Sequence, residues 1–188
     1  MIKNIEGWII REVQRDEYQL VVDIYNSNPY FLKRHLGKES IDIDFVAEEV
    51  STMKEYGFKP CVIVRDTCSV DYGTLQKGNE QSGIVGVLDY KHKETKYELL
   101  EECESECYLS LMMLAKEYQN MGLGCEIYKF FEDELREKGC KFIRIDVVND
   151  YKENVVAFWK KLGFRACEEI KLTWGNKTSA AVVMRKQL

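Results

Sequence analysis

The sequence predicts an α+β domain of mixed α/β character, in which a mostly antiparallel sheet carries one parallel strand pair and is flanked by helices. Three observations predict it. The β-rich runs Cys61 to Val64, Gly83 to Tyr90 and Cys107 to Leu114 follow one another with no helical pattern between them, as the strands of a meander do. Leu123 to Lys138 then shows a helical period between two strand runs, and a strand–helix–strand crossover sets its strands parallel. Finally, Phe164 to Leu172 and Ala180 to Arg185 read as two strands joined through Gly175-Asn176, a hairpin signal.

Taken in order, Trp8 to Arg11 is a short strand, and Glu17 to Tyr25 places Tyr18, Leu20, Val21, Ile24 and Tyr25 at helical spacing before Asn28-Pro29 breaks the pattern. Ile41 to Tyr56 repeats the period through Phe45, Val46, Val50 and Met53 and stops at Gly57, where a left-handed cap fits. The polar stretch Asp66 to Ser82 reads as a long hairpin loop between two strands. In the central helix Leu123, Ile127, Phe130, Phe131 and Leu135 form the apolar stripe and Gly139 lies just past the end. Lys141 to Val148 is the next strand, and Asn154 to Leu162 a short helix closed by Gly163. With 188 residues, 45% of them hydrophobic, only two prolines and no internal repeat, the chain is expected to form one domain over residues 1–188.

A net charge of −5 and the lack of a basic stripe argue against a nucleic-acid surface. Met1 to Gly7 has no apolar signal core, and no run approaches a membrane-spanning length, so a cytoplasmic protein with no membrane partner is expected. Seven scattered cysteines suit reduced thiols. Cys103 and Cys107 have no second Cys/His pair at zinc spacing, so no metal site is expected. Glu98, Glu101, Glu102, Glu104 and Glu106 form an acidic run that is either a solvated loop or a lure for a cationic amine. Neither a heptad seam nor an apolar patch decides between monomer and homodimer.

The chemistry gathers at Gln119-Asn120-Met121-Gly122-Leu123-Gly124, between a strand end and a helix start. Glycines there let the backbone approach a ligand, and the free N–H groups of the helix start face it with the positive dipole end. Such a place binds phosphate. A dinucleotide fingerprint would need a third glycine where Ile127 stands, and a nucleoside-triphosphate loop would need Gly-Lys-Ser/Thr, which is absent. The spacing alone leaves a generic anion site or a plain tight turn.

These residues resemble the Gln/Arg-x-x-Gly-x-Gly/Ala motif of the GNAT superfamily of N-acetyltransferases, which wraps the pyrophosphate of coenzyme A. Further on, Phe158-Trp159-Lys160-Lys161-Leu162-Gly163-Phe164 is similar to the family's Phe-Tyr-x-Lys-x-Gly-Phe helix end beside the pantetheine arm. The resemblance covers Gly83 to about Phe164, an acyl-CoA-binding core at 83–164, and is faint over 1–57, where the family varies with its acceptor. It implies a GNAT-like sheet and direct transfer of an acetyl group from acetyl-CoA to an amine, with no metal. It further implies that Gln119 to Gly124 hold the pyrophosphate, that the backbone of Met112, Met113 and Leu114 pairs with pantetheine, and that Phe158, Trp159 and Lys161 line the arm. Met113 N–H is the expected oxyanion donor. Lys152 stands where the family usually has asparagine, with Asn149 and Asn154 nearby.

An aliphatic amine is only about a thousandth neutral at pH 7, so a base is needed. Strand alternation points Glu106, Tyr108 and Ser110 together, and Glu106 is the carboxylate among them. The family often gives protonation of the leaving thiolate to a tyrosine at the position of Trp159; indole cannot serve, which leaves Tyr151 or another tyrosine, or an unassisted departure. A fold that keeps the cofactor but has lost turnover is the alternative reading. Trp8, Tyr25, Tyr30, Phe31 and Tyr56 line an acceptor pocket or are plain core.

Overall fold

In the computed structural model residues 7–65, 83–93, 105–149, 155–174 and 177–188 are described. The expected Asp66–Ser82 loop, Glu98 to Glu104 of the acidic run, Tyr151, Lys152, Asn154 and the Gly175-Asn176 turn lie outside them.

Among the described residues seven strands form one sheet in the order β1-β2-β3-β4-β5-β7-β6. β1 (Trp8–Glu12), β2 (Lys59–Arg65), β3 (Ile84–Lys93) and β4 (Glu106–Leu114) pair antiparallel in sequence order, which is the expected meander. β5 (Phe142–Val148) joins β4 in parallel through the crossover helix α4 (Leu123–Glu137). β6 (Arg165–Trp174) and β7 (Lys177–Gln187) pair antiparallel, but β7 inserts between β5 and β6. That order cannot be read from a hairpin signal, which says that two strands pair and not which one docks on the sheet.

Helices cover both faces. α1 (Tyr18–Asn26) and α3 (Ile43–Glu55) pack on one, burying Val21, Val22, Ile24, Val46 and Val50 against Val62, Val87 and Met113. Between them, where Asn28-Pro29 is expected only to break the helical pattern, Pro29–Phe31 forms the short α2, which continues as a wide turn over Leu32–Leu36. α4 and α5 (Val155–Lys161) cover the other face, with Ile127, Tyr128, Phe131 and Leu135 buried against Leu88, Leu109, Ile143 and Ile145. The Asp42 side chain caps α3 by accepting from Phe45 N–H at 2.9 Å, and Gly57 closes it left-handed as expected, at φ +77°. Glu132 accepts from Arg136 at 2.5 Å and from Lys186, which ties α4 to β7. No helix among the described residues is long and apolar enough to cross a membrane.

Gly86 pairs with Leu114 where β3 leaves no room for a side chain. A Cβ there would lie 2.5 Å from the Met113 carbonyl oxygen and 2.8 Å from Leu114 Cδ2. Backbone cannot step aside as a flexible side chain can. Gly86→Ala should therefore lose about 3 kcal/mol, the upper end of overpacking costs, and lower the melting temperature by about 6–12 °C in a thermal denaturation scan. A shift under about 2 °C would show that the strand ends yield freely.

Candidate active site

β4 and β5 pair only over Glu106 to Tyr108 against Phe142 to Arg144, although β4 runs on to Leu114 and β5 to Val148. The cause lies on the other side of β4. Its register with β3 passes from Leu109↔Tyr90 to Leu111↔Asp89, so Ser110 is an extra residue, and its hydroxyl donates to the Asp89 backbone carbonyl at 3.0 Å. A bulge bends its strand and reverses the side-chain alternation. Cys107 and Leu109 face α4 before it, Met112 and Leu114 after it, while Leu111 and Met113 turn to the α1/α3 face. Beyond Tyr108 and Arg144 the two strands diverge into a V with unpaired backbone along the β4 arm.

Ala115 N–H donates to the Val85 carbonyl at 2.9 Å. Antiparallel alternation from that bond directs the N–H and C=O of Met113 at β3 and turns those of Met112 and Leu114 away from it, toward the V, where the Leu114 C=O accepts from Asn28 Nδ2 and Gln119 Nε2. The expected oxyanion donor is thereby corrected: Met113 N–H is engaged in the β3 ladder, and Met112 N–H is the one presented to the opening. Only the register with β3 carries this parity.

The cradle forms at the wide end of the V. Asn120 and Gly122 both take left-handed backbone, at φ +61° and +84°, which turns the chain into the first turn of α4. Cys125 and Glu126 make the first helical bonds, both to the Gly122 carbonyl, so the N–H groups just ahead of them have no helical partner. Met121 is exposed at the tip. Gln119 is turned inward: its amide Nε2 donates to Asn28 Oδ1 at 2.6 Å and to the Leu114 carbonyl at 2.9 Å.

The two sequence motifs meet. A Cβ built on Gly124 would lie 3.6 Å from Phe158 Cζ and 3.9 Å from Met112 Cε, so cradle, β4 arm and α5 converge on one groove. Trp159 points the other way. It is 8% exposed and packs edge-on against Tyr128, Phe158 and Phe164, with ring centroids 5.5, 5.0 and 5.3 Å away. The larger indole serves as core at this position, and only its neighbour Phe158 reaches the groove. Lys161 is exposed on the last turn of α5, and Asn149 is exposed at the end of β5, where its N–H donates to the Ala180 carbonyl at 3.1 Å.

At the closed end of the V, Tyr108 lies half-buried with Phe58 edge-on at 5.9 Å and the Arg144 guanidinium over its ring at 5.5 Å. Arg144 grips Asp146 with two bonds of 2.9 and 3.0 Å. Burial first, and then the Asp146 charge, push the Tyr108 hydroxyl up to about 12. Glu106, the carboxylate expected beside it, accepts from Arg185 Nε at 2.7 Å. Two residues further from the cradle than Tyr108, it sits about 7 Å along the strand.

Sequence reasoning missed Asp89, Arg144 and Asp146. Asp89 is 8% exposed on the α1/α3 face, and burial pushes its carboxyl up to about 7, against the pull of the Cys61 N–H that it accepts. It forms the floor of a small cleft of about 30 Å³ between α1 and α3, flanked by Tyr25 and Glu49. Burial also raises Glu49. A lone carboxylate in the apolar run Gly83 to Tyr90 was the available signal. Of the aromatic residues proposed for an acceptor pocket, Tyr25 lines this cleft and stacks edge-on with Phe31, Tyr30 and Tyr56 are exposed, and Trp8 is core, donating to Glu126 at 2.6 Å. No group of side chains able to hold a metal occurs among the described residues.

A family model described as acetyltransferase (GNAT) family matches residues 37–164. Among solved structures, an acetyltransferase from Thermus thermophilus superposes with a TM-score of 0.67 at 18% identity, covering 97% of each chain. The spermidine N-acetyltransferase of Vibrio cholerae, in complex with CoA and spermine, gives 0.63 at 11% identity over 96% of this chain and 95% of its own. The structure of yncA from Salmonella typhimurium, with its cofactor acetyl-CoA, gives 0.54 at 14% identity over 96% and 93%. These likenesses show the fold. No curated protein matches by sequence.

Proposed function

Because this chain belongs to the acetyltransferase (GNAT) family, we propose that it transfers an acetyl group from acetyl-CoA directly to a primary amine of a small molecule or a protein. The observation that carries this reading is the V between β4 and β5, with unpaired backbone along one arm and an anion cradle at its wide end. Acetyl-CoA supplies a thioester carbonyl open to attack by a neutral amine and a thiolate that leaves.

The N–H groups of Asn120 to Gly124 bind the pyrophosphate, and the Met112 carbonyl and Leu114 N–H face the pantetheine amides, the Leu114 carbonyl being engaged by Asn28 and Gln119. Met112 N–H donates to the carbonyl oxygen as charge builds on it. Glu106 takes the proton that the amine loses, with Arg185 holding the carboxylate aimed. Tyr108 hydrogen-bonds the departing sulfur. Complete transfer from a hydroxyl near 12 to a thiolate with an ordinary value of about 8.5 is uphill, so solvent delivers the final proton. Asp89 and Glu49, the two carboxyl groups lining the cleft between α1 and α3, suit a cationic amine, such as the polyamine bound in the Vibrio cholerae structure, whose charge would draw them into ionised form.

Incubation of the purified protein with acetyl-CoA and an amine library, read by mass spectrometry, tests the reading; an acetylated amine should appear with matching release of free CoA thiol. Tight CoA binding without thiol release from any amine would favour a regulatory CoA-binding domain, the second reading, which the burial of Trp159 at the usual tyrosine position supports. Glu106→Gln should lower kcat/KM about a hundredfold at pH 7 and less at pH 9, where more of the amine is already neutral. A loss independent of pH would remove Glu106 from the proton path.

A further inference from the structure

Asn28 stands at the turn between α1 and α2, outside both motifs, yet its side chain joins three parts of the molecule. Its Nδ2 donates to the Ile24 carbonyl at 2.9 Å and to the Leu114 carbonyl at 3.0 Å, and its Oδ1 accepts from Gln119 Nε2 at 2.6 Å. Beside it, Ser27 Oγ accepts from Lys116 N–H at 3.1 Å. The end of α1, the end of β4 and the first residue of the cradle therefore share one hydrogen-bond hub.

The parts of the groove differ in how much they depend on that hub. Leu114 is also held by β3, through its pairing with Gly86 and the adjoining Ala115–Val85 bond. The segment from Lys116 to Gly122 belongs to no strand; after one short helical turn over Lys116–Tyr118 it holds two left-handed residues, one of them, Asn120, not a glycine. Its connections to the α1/α2 turn are the Gln119–Asn28 and Lys116–Ser27 bonds. Gln119, matched by motif to the cofactor, has its Nε2 occupied by two protein acceptors. Its amide thus works on the cradle from behind.

We propose that Asn28 is a positioning residue for the pyrophosphate cradle, acting through Gln119, so that the acceptor-side helix turn sets the geometry of the phosphate-binding N–H groups. The inference rests on the cofactor reading above. Losing the hub leaves the β4 arm in place, because β3 holds it, and loosens the cradle alone.

The test compares CoA with pantetheine, which lacks the pyrophosphate, for wild type, Asn28→Ala, Gln119→Leu and the double variant, using calorimetry for CoA and NMR titration for pantetheine. Asn28→Ala should weaken CoA at least about tenfold and pantetheine less than twofold, and the double variant should be no weaker than the worse single one. A general loss of fold would weaken both ligands equally and overturn the proposal. So would additive losses, which would mean that Gln119 touches the ligand by itself. If Asn28→Ala does not fold, Asn28→Ser, whose shorter side chain does not reach Gln119, takes its place in the same cycle with Gln119→Leu and is decided by the same CoA-to-pantetheine contrast. Wild type that binds no CoA sinks the cofactor reading with the inference; wild type that binds CoA with Asn28→Ala unchanged sinks the inference alone.

Discussion

Gly124→Glu should weaken CoA binding at least a hundredfold while leaving the melting temperature within about 2 °C of wild type. The two halves of this expectation have separate causes. A Cβ at Gly124 meets only ordinary contacts, at 3.6 Å from the Phe158 ring and 3.9 Å from Met112, so the fold has room for it. A carboxylate in the first turn of α4 also faces the positive end of the helix dipole, worth about 0.3–1 kcal/mol to the free protein. Under the proposed function the same carboxylate would occupy the place of the pyrophosphate and repel it. A hundredfold loss corresponds to about 2.7 kcal/mol. Calorimetry and a thermal scan on one sample decide it: retained CoA affinity would place the phosphate site elsewhere, and a collapsed melting temperature would make Gly124 a folding residue.

The second large effect is on stability. Burial raises the Asp89 carboxyl from its ordinary 3.8 to about 7. A carboxyl whose pKa is higher in the folded state binds its proton more tightly there, so folding is favoured most below the unfolded value and loses stability as pH climbs from about 4 to about 7. At about 1.4 kcal/mol per pKa unit the loss is about 4 kcal/mol, complete above pH 7. Asp89→Asn removes the ionisation and keeps an oxygen for the Cys61 N–H. The variant should match wild type at pH 4 and exceed it by up to about 4 kcal/mol at pH 8 in urea denaturation. A gap that does not change with pH would mean that the cleft solvates Asp89 when it ionises.

The legible parts of the fold are those that the chain specifies within a few neighbouring residues. The stripe Leu123, Ile127, Phe131, Leu135 places a helix, Gly57 ends one, and three successive β-rich runs pair as a meander because strands consecutive in sequence tend to be neighbours in a sheet. The cradle was legible for the same reason, since Gln119 to Gly124 is one short segment. The α2 turn escaped because Pro29 to Leu36 has too few residues to show a period. Trp159 was legible as a departure from the motif, but its role as core came from Tyr128 and Phe164, which only the fold brings to its ring together.

By itself, then, the sequence determined the α+β architecture and the crossover around α4, and it marked the candidate anion site at the start of that helix, all of which follow from period, glycine placement and segment order. Only the tertiary structure decided that Ser110 is a bulge, that β4 therefore leaves β5 after Tyr108, that Met112 rather than Met113 presents its N–H, and that Asp89 is starved of water. Each of these is a relation between two strands or between a side chain and its surroundings. A bulge shifts every later side chain to the opposite face, and one strand's own pattern does not say against which partner residue the shift occurs.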